Sequence, residues 1–298
     1  MRKNTLTIWG EIMGHNNIDF FVTGGARSGT TYLYNLLASQ DSLDMSSVKE
    51  TNYYLDSLSS HSVTQKIATK EEYLGLFRGK GVRGEASPFY FFDDKGLRRL
   101  KNENPNVKVL LILRNPVNRA FSHYSMDKYK YGFNLGCFLE SLEGEFENKL
   151  IEGVDNNYRD MSMYSERVRA MNRIFGPDYI KVVIFEDLIR EREKELSEVL
   201  DFLGVEASGF DFDLPKNESV STRGVFRIII PYIRSGIFRR IVPKAFVHIF
   251  KSILFKPGTV ERLSSGDYIK AAKFFEEDVK VLETLVPGVS KKWGFSVE

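Results

Sequence analysis

Three short apolar runs punctuate the chain, and each opens into a polar or glycine-rich loop. Residues 20–22 (FFV) lead into TGGARSGTT, residues 107–113 (VKVLLIL) into Arg114-Asn115-Pro116, and residues 180–185 (IKVVIF) into Glu186-Asp187-Leu188. Apolar runs of strand length suit strands buried on both faces of a parallel sheet. Helical spacing fills the intervals. Leu33, Leu36 and Leu37 follow Thr30-Thr31, and Pro116 opens VNRAFSHYSMDKYKYG. Tyr164, Val168, Met171 and Phe175 share one helical face, and residues 192–203 form a helix closed by Gly204. Residues 136–153 read as a charged amphipathic helix, and residues 267–285 as a last one carrying Ile269, Phe274, Phe275, Val279 and Leu282. A short helix over 70–76 precedes GVRGEASPFYFFD, which reads as a strand running into a loop, and the polar stretch DSLDMSSVKETNYYL joins a second short strand to a helix. The pattern predicts one α/β domain over residues 1–298, with a central parallel sheet and helices on both faces.

Residues 210–223 are polar, with Pro and Ser, and read as a loop. Residues 225–257 depart from everything else: aliphatic and aromatic throughout, with seven Lys or Arg and no acidic residue. Pro231, Pro243 and Pro257 divide this insertion into short basic helices. Such helices suit an anionic membrane surface or a cap packed on the domain; amphipathicity alone does not choose between them.

Composition narrows the classes. The 298 residues carry 42 Lys and Arg against 40 Asp and Glu, a net charge of +2, so nothing global points to nucleic acid. A single cysteine, Cys137, excludes an intramolecular disulfide and any cysteine-cluster metal site, and it suits a reducing cytoplasm. His15, His61 and His248 stand in no ligand spacing, so no metal is expected. No run of about 18 uncharged apolar residues occurs, and the N-terminal stretch lacks the apolar core of a signal peptide.

The candidate chemistry starts in the first loop. Strand, glycine loop and helix together make a phosphate cradle, in which Gly24, Gly25 and Gly29 let backbone amides line one concave surface at a helix N-terminus. The spacing from Gly24 to Gly29 resembles the nucleotide-triphosphate loop, yet Thr30 stands where that loop needs lysine. A kinase or NTPase therefore remains a rival reading, as does an idle nucleotide-binding scaffold at a membrane. Arg114 ends a strand on the side where open α/β sheets bind ligands, so it faces the same crevice.

GGARSGTTYLYNLL resembles the phosphosulfate loop of sulfotransferases that use 3′-phosphoadenosine 5′-phosphosulfate, with Arg27 where many members have lysine. KETNYYL resembles the Lys-Glu motif of their glycan-modifying, heparan-sulfate-like branch, here of bacterial type. The resemblance implies that Gly25, Ala26, Arg27, Ser28, Gly29, Thr30 and Thr31 hold the 5′-phosphosulfate, and that Arg114 and Ser122 hold the 3′-phosphate. It makes Glu50 the general base, with Lys49 and Arg27 as cations at the sulfuryl centre. An acceptor hydroxyl needs a carboxylate to take its proton, and the leaving phosphate needs positive charge.

Glu85, Ser87 and Phe89 match a stretch that borders the acceptor cleft in that branch. His123 is read chiefly as a packing residue, and Tyr164 lies in a turn near the cleft. Lys216 and Arg223, with Asn217 and Ser221, are candidates for a basic loop over the cofactor. Glu186 and Asp187 read as braces of the sheet, and the tail VPGVSKKWGF resembles the Lys-Trp close of glycan sulfotransferases. The implied reaction moves a sulfuryl group to a hydroxyl of a glycan or glycolipid, releasing 3′-phosphoadenosine 5′-phosphate without a metal. The expected location is the cytoplasm, with the basic insertion as a peripheral membrane contact if it is not a cap.

Overall fold

The structure is a computed structural model and describes residues 17–56, 66–130, 136–143, 157–206, 220–222, 255–257 and 262–296. Five strands build one sheet: β1 (Phe20–Thr23), β2 (Leu43–Met45), β3 (Val82–Ala86), β4 (Lys108–Leu113) and β5 (Ile180–Ile184). Their order is β2-β3-β1-β4-β5, and every pairing is parallel. After β1 the chain builds β2 and β3 on one side, then crosses to β4 and β5 on the other. Ligands of such sheets bind at the carboxyl ends of strands where this reversal occurs, here between β1 and its neighbours.

The apolar runs make these strands because both faces are covered. Alternation along each strand sends Phe21, Val109, Leu111 and Leu113 into one core and Phe20, Val22, Leu110 and Ile112 into the other. Helices α1 (Thr30–Ala38), α7 (Phe185–Arg190) and α8 (Arg192–Leu203) pack on the second face through Leu33, Leu36, Leu37, Leu188, Leu196 and Val199. The first face is covered by α3 (Asp94–Glu103), α4 (Pro116–Ser125), α6 (Ser165–Phe175) and α10 (Glu276–Glu283) through Leu97, Leu100, Val117, Val168, Met171 and Val279. Helices α2 (Lys70–Leu74), α5 (Phe138–Glu143), α9 (Ser265–Ala272) and α11 (Val289–Trp293) complete the described set.

The predicted doubly covered parallel sheet is what the structure shows, with local differences. The last long helix is broken: Phe274 and Phe275 donate to Ala271 and Ala272 carbonyls at 3.2 and 2.9 Å. These tight turn bonds end α9, and the fully buried Phe275 side chain redirects the chain into α10. Residues 46–56 do not lead straight into a helix; they form an irregular stretch anchored by side chains. Of the basic insertion only Phe255–Pro257 is described. It is a strand, β7, paired antiparallel with β6 (Val220–Thr222), where a loop was expected, and the ribbon joins the two ends of the intervening segment. The expected helices over 225–254 lie outside the described residues. Among those described, no helix is long and apolar enough to cross a membrane.

The C-terminal helices are fastened to the ligand end of the sheet. Asn115 caps α4 by accepting from the Asn118 amide at 3.1 Å, and its side-chain amide donates to the Tyr268 hydroxyl at 2.8 Å and the Trp293 carbonyl at 3.1 Å. Glu186 accepts from the Asn115 amide and from the Trp293 indole, each at 3.1 Å. Buried Asp187 pairs with Lys292 at 2.5 Å and with Arg190 at 2.6 Å. Glu186 and Asp187 thus brace the sheet, and what they hold is the Lys-Trp tail.

Asp278, in α10, caps α6 across space. It accepts from the Tyr164 and Ser165 amides at 2.7 and 3.1 Å and from the Ser165 hydroxyl at 2.6 Å. Asp278→Ala is expected to lower stability by about 1–2 kcal/mol, as loss of a helix cap does. The check is a lower urea midpoint with an unchanged slope.

Candidate active site

The loop after β1 is shaped by steric necessity. Gly29 sits at φ +102°, and a Cβ there would lie 2.2 Å from the Phe185 ring; Gly24 sits at φ +148°, with Ile112 O 2.2 Å from the same imagined atom. No other residue type fits either place. Gly29 also precedes α1, so that helix starts without a capping side chain and with no acidic residue in its first turn. The positive end of the helix dipole is left open to an external anion.

Arg27 completes the loop in the left-handed region at φ 74°, which costs a residue with a Cβ about 1–2 kcal/mol. Its carbonyl accepts from Arg114 Nη1 at 3.0 Å, and its own Nε donates to Ser122 Oγ at 3.1 Å. Residues from two motifs, Arg27 from the loop after β1 and Arg114 with Ser122 from β4 and α4, therefore meet. Arg114 is further held by the Phe185 ring, 5.0 Å from its guanidinium carbon, and its carbonyl accepts from the Tyr164 hydroxyl at 3.0 Å. Burial, its largest influence, lowers the Arg114 pKa; Glu186 opposes that shift, and the nearby Arg27 adds to it. The buried Nε of Arg114 has no hydrogen-bond partner among the described residues. Two clustered guanidiniums, an open helix N-terminus and an unanswered buried donor fit a phosphate-rich ligand.

Lys49 and Glu50 arrive from the other side of β1. The Glu50 amide donates to the Ala86 carbonyl at 2.8 Å, at the end of β3, and Ala86 is the register partner of Val22. The Thr23 hydroxyl donates to Ser87 O at 3.1 Å and Pro88 O at 3.2 Å, tying the start of the phosphate loop to the same strand end. The Lys49 ammonium is ion-paired with the Glu50 carboxylate; Lys49 is 16% exposed and Glu50 46%. Glu50 and Asn52 are both left-handed, at φ 62° and 51°. Asparagine tolerates that conformation, whereas glutamate takes it only when the surroundings impose it.

The remaining predicted residues divide by burial. Glu85 and Ser87 are wholly buried, so they stand behind the cleft and not at its surface, while Phe89 is partly exposed. His123 is 3% exposed, with Nδ1 3.1 Å from Arg119 Nη2 and Nε2 3.7 Å from Asp127; burial first, then Arg119, pushes its pKa well below the ordinary value. It is a neutral packing residue in this arrangement and presents no face to an acceptor. Tyr164 is also fully buried and acts on the site through the Arg114 carbonyl. Lys216, Asn217 and Arg223 lie outside the described residues, and Ser221 is in β6.

Two contributors escaped the sequence. Thr51, wholly buried beside Glu50, lies inside KETNYYL, but the likeness gives it no role. Asn115 was signalled only by its place before Pro116, a helix-start pattern that says nothing of Tyr268 or Trp293.

The sulfotransferase domain matches residues 17–223. The chain belongs to the sulfotransferase family. Arg27, Lys49, Glu50, Arg114 and Ser122 all lie within the matched part of this sulfotransferase. It is 34% identical over 106 residues to the membrane-associated sulfotransferase kil1 of Dictyostelium discoideum, covering 36% of this chain. It is 27% identical over 127 residues to heparan sulfate glucosamine 3-O-sulfotransferase 6 of Mus musculus, covering 41% of this chain. The matches span 22% and 34% of those two relatives. A solved sulfotransferase from Alicyclobacillus acidocaldarius shares the fold, with a TM-score of 0.66 at 24% identity over 91% of this chain and 96% of the other.

Proposed function

We propose that the protein transfers a sulfuryl group from 3′-phosphoadenosine 5′-phosphosulfate to a hydroxyl of a glycan or glycolipid. The observation that carries this is the meeting of Arg27, Arg114 and Ser122 beside the open N-terminus of α1. The donor supplies an activated sulfuryl group on a good leaving phosphate. Amides from Gly25 to Thr31 hold its 5′ end, and Arg114 with Ser122 holds the 3′-phosphate. Glu50 takes the proton of the acceptor hydroxyl as the new O–S bond forms and the S–O bond to phosphate breaks. Lys49 and Arg27 stabilise the charge that gathers on the departing oxygen, as cationic clamps do in phosphoryl transfer.

The mouse relative's name, heparan sulfate glucosamine 3-O-sulfotransferase, supports a glycan acceptor. The name of the Dictyostelium relative and the seven cations of residues 225–257 support an acceptor met at an anionic membrane surface.

The test is binding of labelled 3′-phosphoadenosine 5′-phosphate, followed by labelled sulfate transfer to desulfated heparan oligosaccharides, neutral glycolipids in neutral or acidic vesicles, and simple phenols. The nucleotide is expected to bind without magnesium and without competition from equal ATP. Tight magnesium-dependent ATP binding in its place would return the loop to the kinase and NTPase class.

A further inference from the structure

Glu85 is wholly buried, yet among the described residues its oxygens accept four hydroxyl bonds and no cation. Tyr73 and Tyr90 donate to Oε1 at 2.8 and 2.9 Å, and Thr51 and Ser87 donate to Oε2 at 2.6 and 2.8 Å. Burial pushes its pKa up, and the hydroxyls pull it back. A buried carboxylate answered only by neutral donors is costly, and an amide or apolar side chain would fill the same space more cheaply. Its use has to lie in what an acceptor-only group imposes on its partners.

Each hydroxyl has one proton, and a hydroxyl that gives it to Glu85 is left to accept elsewhere. Three of the four accept backbone amides from one short segment. Ser87 takes the Asn52 amide at 3.2 Å, Thr51 the Tyr53 amide at 3.4 Å and Tyr90 the Tyr54 amide at 3.2 Å. One carboxylate thereby sets the polarity of the bonds that fasten residues 52–54. Two positions before Asn52 stands Glu50, tied by its own amide to Ala86 and held left-handed, as is Asn52. Thr51, between those two residues, is the direct link.

We infer that Glu85 is a positioning residue that aims the Glu50 carboxylate at the acceptor, acting through the Thr51 hydroxyl and the amides it orders. This rests on Glu50 as the general base. Glu85 touches neither donor nor acceptor; it keeps a strained turn in the one conformation that presents Glu50.

Thr51→Val keeps the shape and deletes the link, and is expected to lower kcat about a hundredfold, the penalty of a misplaced group, with KM for the donor and nucleotide affinity nearly unchanged. The assay is labelled sulfate transfer to the acceptor with the highest turnover in the panel above. Independently of activity, amides 50–54 should exchange faster with deuterium, while those of α1 and β4 do not. Thr51→Ser should restore both readings, which a merely structural loss would not separate from nucleotide binding. Wild-type kcat and exchange in Thr51→Val overturn the inference, as does a parallel loss of nucleotide affinity. Wild-type turnover in Glu50→Gln is a different failure: it removes the base assignment and the positioning role with it.

Discussion

Glu50→Gln is expected to lower turnover by about a hundredfold to ten-thousandfold, the usual contribution of a general base, while leaving nucleotide affinity nearly intact. Gln preserves the shape and one acceptor oxygen, so the turn that holds residue 50 keeps its contacts to Ala86 and, through Thr51, to Glu85. What disappears is the capacity to take a proton, together with the charge that pairs with Lys49. Freed of its partner, Lys49 would keep its positive charge, so binding of an anionic donor is not expected to weaken. Steady-state kcat beside equilibrium binding of 3′-phosphoadenosine 5′-phosphate separates these effects. Turnover within a few-fold of wild type would exclude Glu50. His123, buried and engaged by Arg119, is poorly placed to take over.

Arg114→Ala should weaken binding of 3′-phosphoadenosine 5′-phosphate by about 2–5 kcal/mol, the cost of truncating a buried charge-assisted contact. Adenosine 5′-phosphosulfate, which lacks the 3′-phosphate, should lose far less. The distinction is sharp because the proposed grip on the 3′-phosphate is not the whole of what Arg114 does. It also donates to the Arg27 carbonyl at 3.0 Å, so its removal loosens the phosphosulfate loop that both ligands share. The common loss measures the loop, and the difference between ligands measures the 3′-phosphate. Titration calorimetry with both ligands on Arg114→Ala and Arg114→Lys reads the two parts. Lys keeps the charge without the planar fork, and should recover only part of the difference. Equal weakening of both ligands by Arg114→Ala would leave only the loop role standing.

The contrast between these two residues bears on what could be read from the chain. Arg114 is legible because it ends an apolar run of strand length, and the carboxyl end of a parallel strand is where ligands bind. The phosphate loop is legible because Gly24 and Gly29 occupy conformations that no other residue adopts at that spacing, a local requirement written directly in residue type. Lys49-Glu50 is legible only through its likeness to a family motif, since an adjacent Lys and Glu has no backbone signature. Glu85 was read as lining the cleft because its motif borders one; its burial depends on Thr51, Tyr73, Ser87 and Tyr90 closing over it. Those partners lie up to 34 positions away, and no periodicity brings them together.

Local chemistry by itself determined the five strands of the parallel sheet, most helices, the anion cradle after β1 and the cation after β4, because period, glycine and strand end each act within a few residues. The tertiary structure alone decided that Arg27 reaches Ser122, 95 positions away, and that Asn115 and Glu186 hold Trp293. It also decided that His123 and Tyr164 are sealed inside and that the final helix breaks at Phe275. The physical reason is the same in each case. Burial and hydrogen-bond partnership are properties of how distant elements pack, and a side chain's exposure is settled only when the sheet has its order and both faces have their helices.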